Sequence, residues 1–175
     1  MRDLSEILLM DFIMTPQDRL GNIDFNAYYY WTNNGFVARE TVKGSELGDG
    51  EVPEDAVLIL RAELNDNDTG GRYEYDNLTM LAGVLEQLRH FDPKTYRLLM
   101  KLNADLQSEG PIHAWMSNSL GLRTSKVQQI VDNTALAAGI LQSTCETGAL
   151  RFDLDPKQFF ANGYASEDVQ PCTFN

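Results

Sequence analysis

The sequence predicts an α+β fold in two parts: a small acidic N-terminal unit of antiparallel strands with one helix, then a mainly helical part that closes on two strands. Three observations carry this expectation. Near Asn77 the apolar residues change spacing, from short aromatic and β-branched runs to longer stripes of helical period. Charge changes at the same place: residues 1–77 hold six basic and sixteen acidic side chains, residues 78–160 eight of each, and residues 161–175 two acids and no base. Turn residues, Asn33-Asn34-Gly35 above all, punctuate the first part. We therefore expect an acidic mixed α/β subdomain over 1–77 for interaction or dimerisation, a second domain over 78–160 and a C-terminal tail over 161–175.

Composition narrows the function classes. A chain of 175 residues, 43% of them hydrophobic, can bury a core. Its net charge of −12 repels phosphate backbones and anionic membranes, so any nucleic-acid contact has to be local. No apolar run reaches the ~18 residues of a membrane span, and the opening Met-Arg-Asp-Leu-Ser-Glu carries acids where a secretion signal needs bases. The expectation is a soluble, cytoplasmic protein with no membrane partner.

The catalytic alphabet is sparse. Cys145 and Cys172 are too few for a disulfide framework or a zinc site and read as free thiols in a reducing compartment. There are two histidines, His90 and His113, and no Gly-x-Ser-x-Gly, His-Glu-x-x-His or phosphate-loop motif. Asp66–Gly71 has a calcium-loop flavour, but Asn77 stands where the loop needs Glu, so a polar turn explains it. Asn77-Leu78-Thr79 fits the glycosylation sequon, which has no consequence without a secretion signal. No catalytic residue, metal or cofactor is expected; an enzyme would rest on scattered carboxylates such as Asp55, Glu63, Glu74 and Asp76.

In chain order, Leu4, Ile7, Leu8 and Phe12, with Asp11 on the flank, predict an amphipathic helix over 3–14, stopped before Pro16. Phe25–Thr32 and Phe36–Val42 read as strands joined in a hairpin by Asn33-Asn34-Gly35. Ala56–Leu64 reads as a third strand and Arg72–Tyr75 as a short fourth, linked by the polar turn at 65–71. Tyr28, Tyr29, Tyr30 and Trp31 alternate between the two faces of their strand, in acidic surroundings. They read as core or oligomer-interface packing and not as a base-stacking platform.

From residue 78, Leu78, Leu81, Val84, Leu85, Leu88 and Phe91 form one helical stripe. Asp92 offers a cap, Pro93 suits a first helical position, and Tyr96, Leu99, Leu102 and Leu106 form the next stripe, ended at Gly110-Pro111. His113–Asp132 then fits a helix-turn-helix template. Small Ser117 lies at the closest approach of the helices, Gly121 in the turn, and Met116, Leu120, Leu122, Val127 and Ile130 in the apolar slots. Trp115 reads as core and His113 as a helix-start side chain. Ala137–Leu141 reads as a helix ending at Gly139 and passing into a strand, Thr144–Gly148 as a turn, and Leu150–Leu154 as a second strand by its alternation.

In this order of elements, residues 78–155 resemble the winged helix-turn-helix superfamily, at the level of pattern and not of a particular family within it. The resemblance implies a DNA-binding transcriptional regulator whose recognition helix begins near Thr124. Burial of Val127, Ile130 and Val131 would turn Ser125, Lys126, Gln128, Gln129 and Asn133 outward. Gln and Asn pair with adenine edges, Thr124 or Ser125 can hold a phosphate, and Arg123 and Lys126 add charge. Arg151 in the wing would meet the backbone or minor groove of duplex DNA, while Asp132 and Glu146 oppose such contacts. Winged-helix regulators often act as dimers, so a homodimer is expected, with Phe159 and Phe160 packing back onto the domain or into a twin subunit. The alternative is a non-enzymatic interaction or inhibitor protein. Its winged helix would bind a protein, or its acidic face a basic partner in competition for a nucleic-acid-binding site.

Overall fold

Turn chemistry builds the sheet. The computed structural model describes residues 2–16, 23–34, 36–41, 52–64, 76–153 and 172. Within them β1 (Ile23–Asn33) and β2 (Phe36–Thr41) form the expected antiparallel hairpin, with Asn33 paired to Phe36 and Asn34 at φ 51°. β3 (Val57–Leu64) pairs antiparallel on the other side of β1, giving a three-stranded sheet of order β2-β1-β3. The expected fourth strand at Arg72–Tyr75 and the turn at 65–71 lie outside the described residues, as do Phe159 and Phe160.

Period two then sorts β1 into two unlike faces. Tyr28 and Tyr30 are buried and cluster with Val37 and Ile59. The other face carries Phe25, Leu58 and Leu60, each more than half exposed, with half-buried Tyr29 and Trp31, and Glu40 of β2 is registered opposite Tyr29.

The helical part holds two departures from the expected pattern. The stripe from Leu78 to Phe91 is not one helix: α2 (Leu78–Leu81) and α3 (Val84–Gln87) are separated by Gly83 at φ 58°, and the chain then extends into β4 (His90–Phe91). A left-handed glycine ends the first helix, and the Gln87 amide locks the break by donating to the carbonyls of Ala82 and Gly83. Leu78 and Leu81 are consequently exposed, whereas Leu85, Leu88 and Phe91 are buried. α4 (Pro93–Gln107) forms as its signals suggest: Asp92 accepts from the Thr95 N–H at 2.7 Å, and Pro93 occupies the first turn.

The second departure removes the wing. α5 (Pro111–Asn118) and a turn at Gly121 (φ 62°) lead into α6 (Thr124–Glu146), a single 23-residue helix that runs straight through Gly139. It continues because Ala137, Ala138, Leu141 and Cys145 extend the stripe begun by Val127, Ile130 and Val131, so stopping at Gly139 would take Leu141 and Cys145 out of it. The glycine that ends α6 is Gly148 (φ 72°), whose N–H donates to the Cys145 carbonyl while that of Ala149 reaches Thr144. The expected strand at 140 is therefore helix. The expected strand Leu150–Leu154 reduces among the described residues to β5 (Arg151–Phe152), which pairs parallel with β4 and not in a hairpin.

α1 (Arg2–Met14) joins the two parts. Phe12 of the expected face enters the helical core with Leu9, beside Leu85, Phe91, Leu99 and Leu141; Ile7 is buried as expected, while Leu4 and Leu8 are half-buried. Ser5 and Asn133 reinforce this seat by donating to the His90 and Ile13 carbonyls. Toward the sheet, the Asp3 carboxylate takes a two-pronged hydrogen bond from the Arg61 guanidinium, whose third arm donates to the Tyr30 hydroxyl at 3.0 Å. Asp3 holds Arg61 charged by raising its pKa further.

The cysteine expectation is overturned. Cys145, in the last turn of α6, forms a disulfide with Cys172, 27 residues on, at a Cα–Cα distance of 5.7 Å. Fully buried Tyr96 sits beside it and donates to the Cys172 carbonyl at 2.8 Å. Burial, with the charge of Glu146 second, pushes the Tyr96 phenol up to about 12. Two outcomes follow from this corner of the core. Cys172→Ser should lower unfolding free energy by about 3–4 kcal/mol in urea titrations, the scale set by the length of the closed loop. Because the phenol titrates higher when folded, its contribution is complete below pH 10 and lost as pH rises toward about 12. Wild-type stability should therefore fall more steeply over that window than that of Tyr96→Phe.

Candidate functional site at the helical corner

The α5–turn–α6 corner is built from the N-terminal end of α5 upward. Pro111 starts the helix, and the Asp105 carboxylate of α4 accepts from the N–H groups of Ile112 (2.9 Å) and His113 (3.3 Å), capping it from outside. Gly110 is required here, because a Cβ would stand 2.5 Å from that carboxylate. Beneath the corner Met116, Val127, Ile130 and Val131 pack with Leu106, flanked by Leu102 and Leu122. Of the template's apolar slots Met116, Leu122, Val127 and Ile130 are filled as expected, and Leu120 is not.

The outward residues divide. Arg123, Thr124 and Ser125 are exposed at the start of α6, where Arg123 takes the N-cap position without a side-chain cap. Gln128 is exposed but donates to Asp132 of the next turn at 2.9 Å, and Gln129 is half-buried. Lys126 is half-buried against the molecule, its ammonium nitrogen out of contact with solvent. Asn133, expected outward, is buried and donates to the Ile13 carbonyl at 3.1 Å: it is a structural tie between α6 and α1. Arg151 is exposed, yet it follows the far end of α6, and 23 residues of helix span about 34 Å. The structure thus brings Arg123, Thr124, Ser125 and Gln128 together and sets Asn133 and Arg151 apart from them.

Two residues assigned to the core lie on the surface. Trp115 is 52% exposed and Leu120 50%. An eight-residue helix has room for one inward stripe, which Met116 takes, so Trp115 shares the outer side with Ile112, one turn back. The apolar residues of α5 surround the helix, which leaves its buried side undetermined by periodicity alone; that ambiguity was the available signal. The corner therefore leaves three large apolar side chains exposed, Ile112, Trp115 and Leu120, and Arg123 is exposed at the start of the following helix. A separate shallow groove of about 360 Å³ runs along the middle of α6 past Leu136 and Gly139 and does not include the corner.

Among the described residues no group of three His, Cys, Asp or Glu side chains is placed to hold a metal, and no helix is long and apolar enough to cross a membrane. The different standing of Asn133 and Gln128 can be measured: Asn133→Ala should cost about 1–2 kcal/mol of stability, and Gln128→Ala no more than about 0.5 kcal/mol. No family model, no curated protein and no solved structure matches this chain.

Proposed function

We propose that the chain is an interaction protein that docks a protein partner on its helical corner. The observation that carries this reading is Trp115, a large aromatic left half exposed on a corner whose Ile112, Leu120 and Arg123 are exposed as well. Tryptophan and arginine dominate the energetics of protein interfaces when the partner desolvates them, and clustered apolar exposure marks such surfaces. A protein partner also tolerates the net charge of −12, which a phosphate backbone does not. The Cys145–Cys172 bond bears on where this happens: disulfides persist in oxidising compartments, which weighs against the cytoplasmic expectation.

A second reading, local contact with duplex DNA, is favoured by the exposed first turn of α6 with Arg123, Thr124 and Ser125. Its charge support is thin, since Lys126 is half-buried and Arg151 belongs to the other end of the helix. Two assays separate the readings. Affinity capture from the source cell should retain a protein with the wild-type chain and lose it with Trp115→Asp, a substitution at an exposed site that leaves the circular dichroism spectrum intact. Anisotropy with a labelled random duplex at low salt should show no binding at tens of micromolar, a range in which even non-specific DNA binders register (Kd about 10⁻⁴–10⁻⁶ M). Duplex binding abolished by Arg123→Glu and untouched by Trp115→Asp would transfer the function to the second reading.

A further inference from the structure

The buried stripe of α6 is continuous in burial but not in chemistry. Its C-terminal half, Ala137, Ala138, Leu141 and Cys145, belongs to one apolar cluster together with Leu99 of α4 and Phe12 of α1. Its N-terminal half, Val127, Ile130 and Val131, belongs to another together with Leu106 and Met116. Three helices cross from one cluster to the other. α4 passes from Leu99 to Leu102 and Leu106, α1 from Phe12 to Met14, and α6, running antiparallel to α4, from Val131 to Ala137.

Polar side chains stand at each crossing. In α6 the crossing is Thr134, 0% exposed, whose hydroxyl has no hydrogen-bond partner among the described residues. In α4 it is Asn103, one turn from both Leu99 and Leu106, whose Oδ1 is buried and equally unpartnered. α1 ends there in Thr15, whose buried hydroxyl is the third such group. Thr15 also sits at φ 54°, a region that disfavours a β-branched residue. The bond from Asn133 to the Ile13 carbonyl fixes the last turn of α1 at the level of Thr134. Across this seam, polar atoms have lost water and gained no partner, and opening would hydrate them.

The two sides of the seam are anchored unequally. The Ala137–Cys145 side is closed by the disulfide to Cys172, by the Tyr96 hydroxyl on the Cys172 carbonyl and by the β4–β5 pairing. The other side is the smaller cluster among the described residues, roofed by the eight-residue α5 and the left-handed turn at Gly121. Such a region lies at the low end of the range of local opening energies within a fold.

We propose that the corner, comprising α5, the Gly121 turn and α6 through Val131, opens as one cooperative unit along the Asn103–Thr134–Thr15 seam while the disulfide-closed remainder stays folded. The opening gives access to Met116, Val127 and Ile130 without global unfolding, and it is independent of what the corner binds. Native-state hydrogen exchange on the full, oxidised chain, followed in urea below the global transition, tests it. The Met116, Ile130 and Val131 amides should share one opening with one urea dependence, protected at least about tenfold less than those of Leu141 and Gln142. Thr134→Val, which removes an unpartnered hydroxyl and keeps the side-chain shape, should raise protection at Ile130 and Val131 at least about threefold. Equal protection on both sides of Thr134 at every urea concentration would overturn the proposal. So would a smooth gradient along α6 from Val127 to Gln142, the mark of end fraying, or lower protection in Thr134→Val.

Discussion

The arrangement of this molecule depends on the unbroken buried stripe of α6. From Val127 through Ile130, Val131, Thr134, Ala137, Ala138 and Leu141 to Cys145, every turn of the helix meets another element. That continuity is what carries the helix past Gly139, since the local cost of a glycine in a helix, about 1 kcal/mol, is small beside the burial of Leu141 and Cys145 in the two turns that follow. It also sets the distances that matter for function. The corner at Thr124 and the disulfide at Cys145 sit at opposite ends of one rod, so chemistry gathered at one end is not supplemented by residues at the other.

α1 gives the rod its neighbours on the N-terminal side. Its inner residues Leu9 and Phe12 belong to the helical core, while Asp3 at its start grips Arg61 of the sheet. The charged, hydrogen-bonded Asp3–Arg61–Tyr30 cluster forms on the sheet face that holds the buried tyrosines, leaving the opposite face without a covering element among the described residues. One helix thus both completes a core and decides which side of the sheet stays available.

The two surfaces differ in chemistry. The corner exposes a tryptophan, two aliphatic side chains and an arginine; the sheet exposes Phe25, Leu58 and Leu60. Compact aromatic anchors are the side chains that contribute most where a protein surface is covered. The net charge of −12 repels a phosphate backbone from either surface.

Much of the local structure was legible in the residues themselves. The Asn33-Asn34-Gly35 hairpin, the Asp92-Pro93 start of α4 and the glycine corner at 121 are written in side chains whose backbone preferences act over two or three positions. Periodicity also identified Val127, Ile130 and Val131 as buried. What only the tertiary structure decided depends on contacts between distant residues. Asn133 is polar and reads as outward until the Ile13 carbonyl of α1 arrives to accept from it. Cys145 and Cys172 read as thiols until the fold brings them together across 27 residues. Trp115 and Leu120 read as core, because apolar character says that a side chain gains by burial but not whether an eight-residue helix has a second neighbour to bury it. Sequence sets the preference of each segment; which partner is within reach is a property of the whole chain, and here that settled both the length of α6 and the residues left facing solvent.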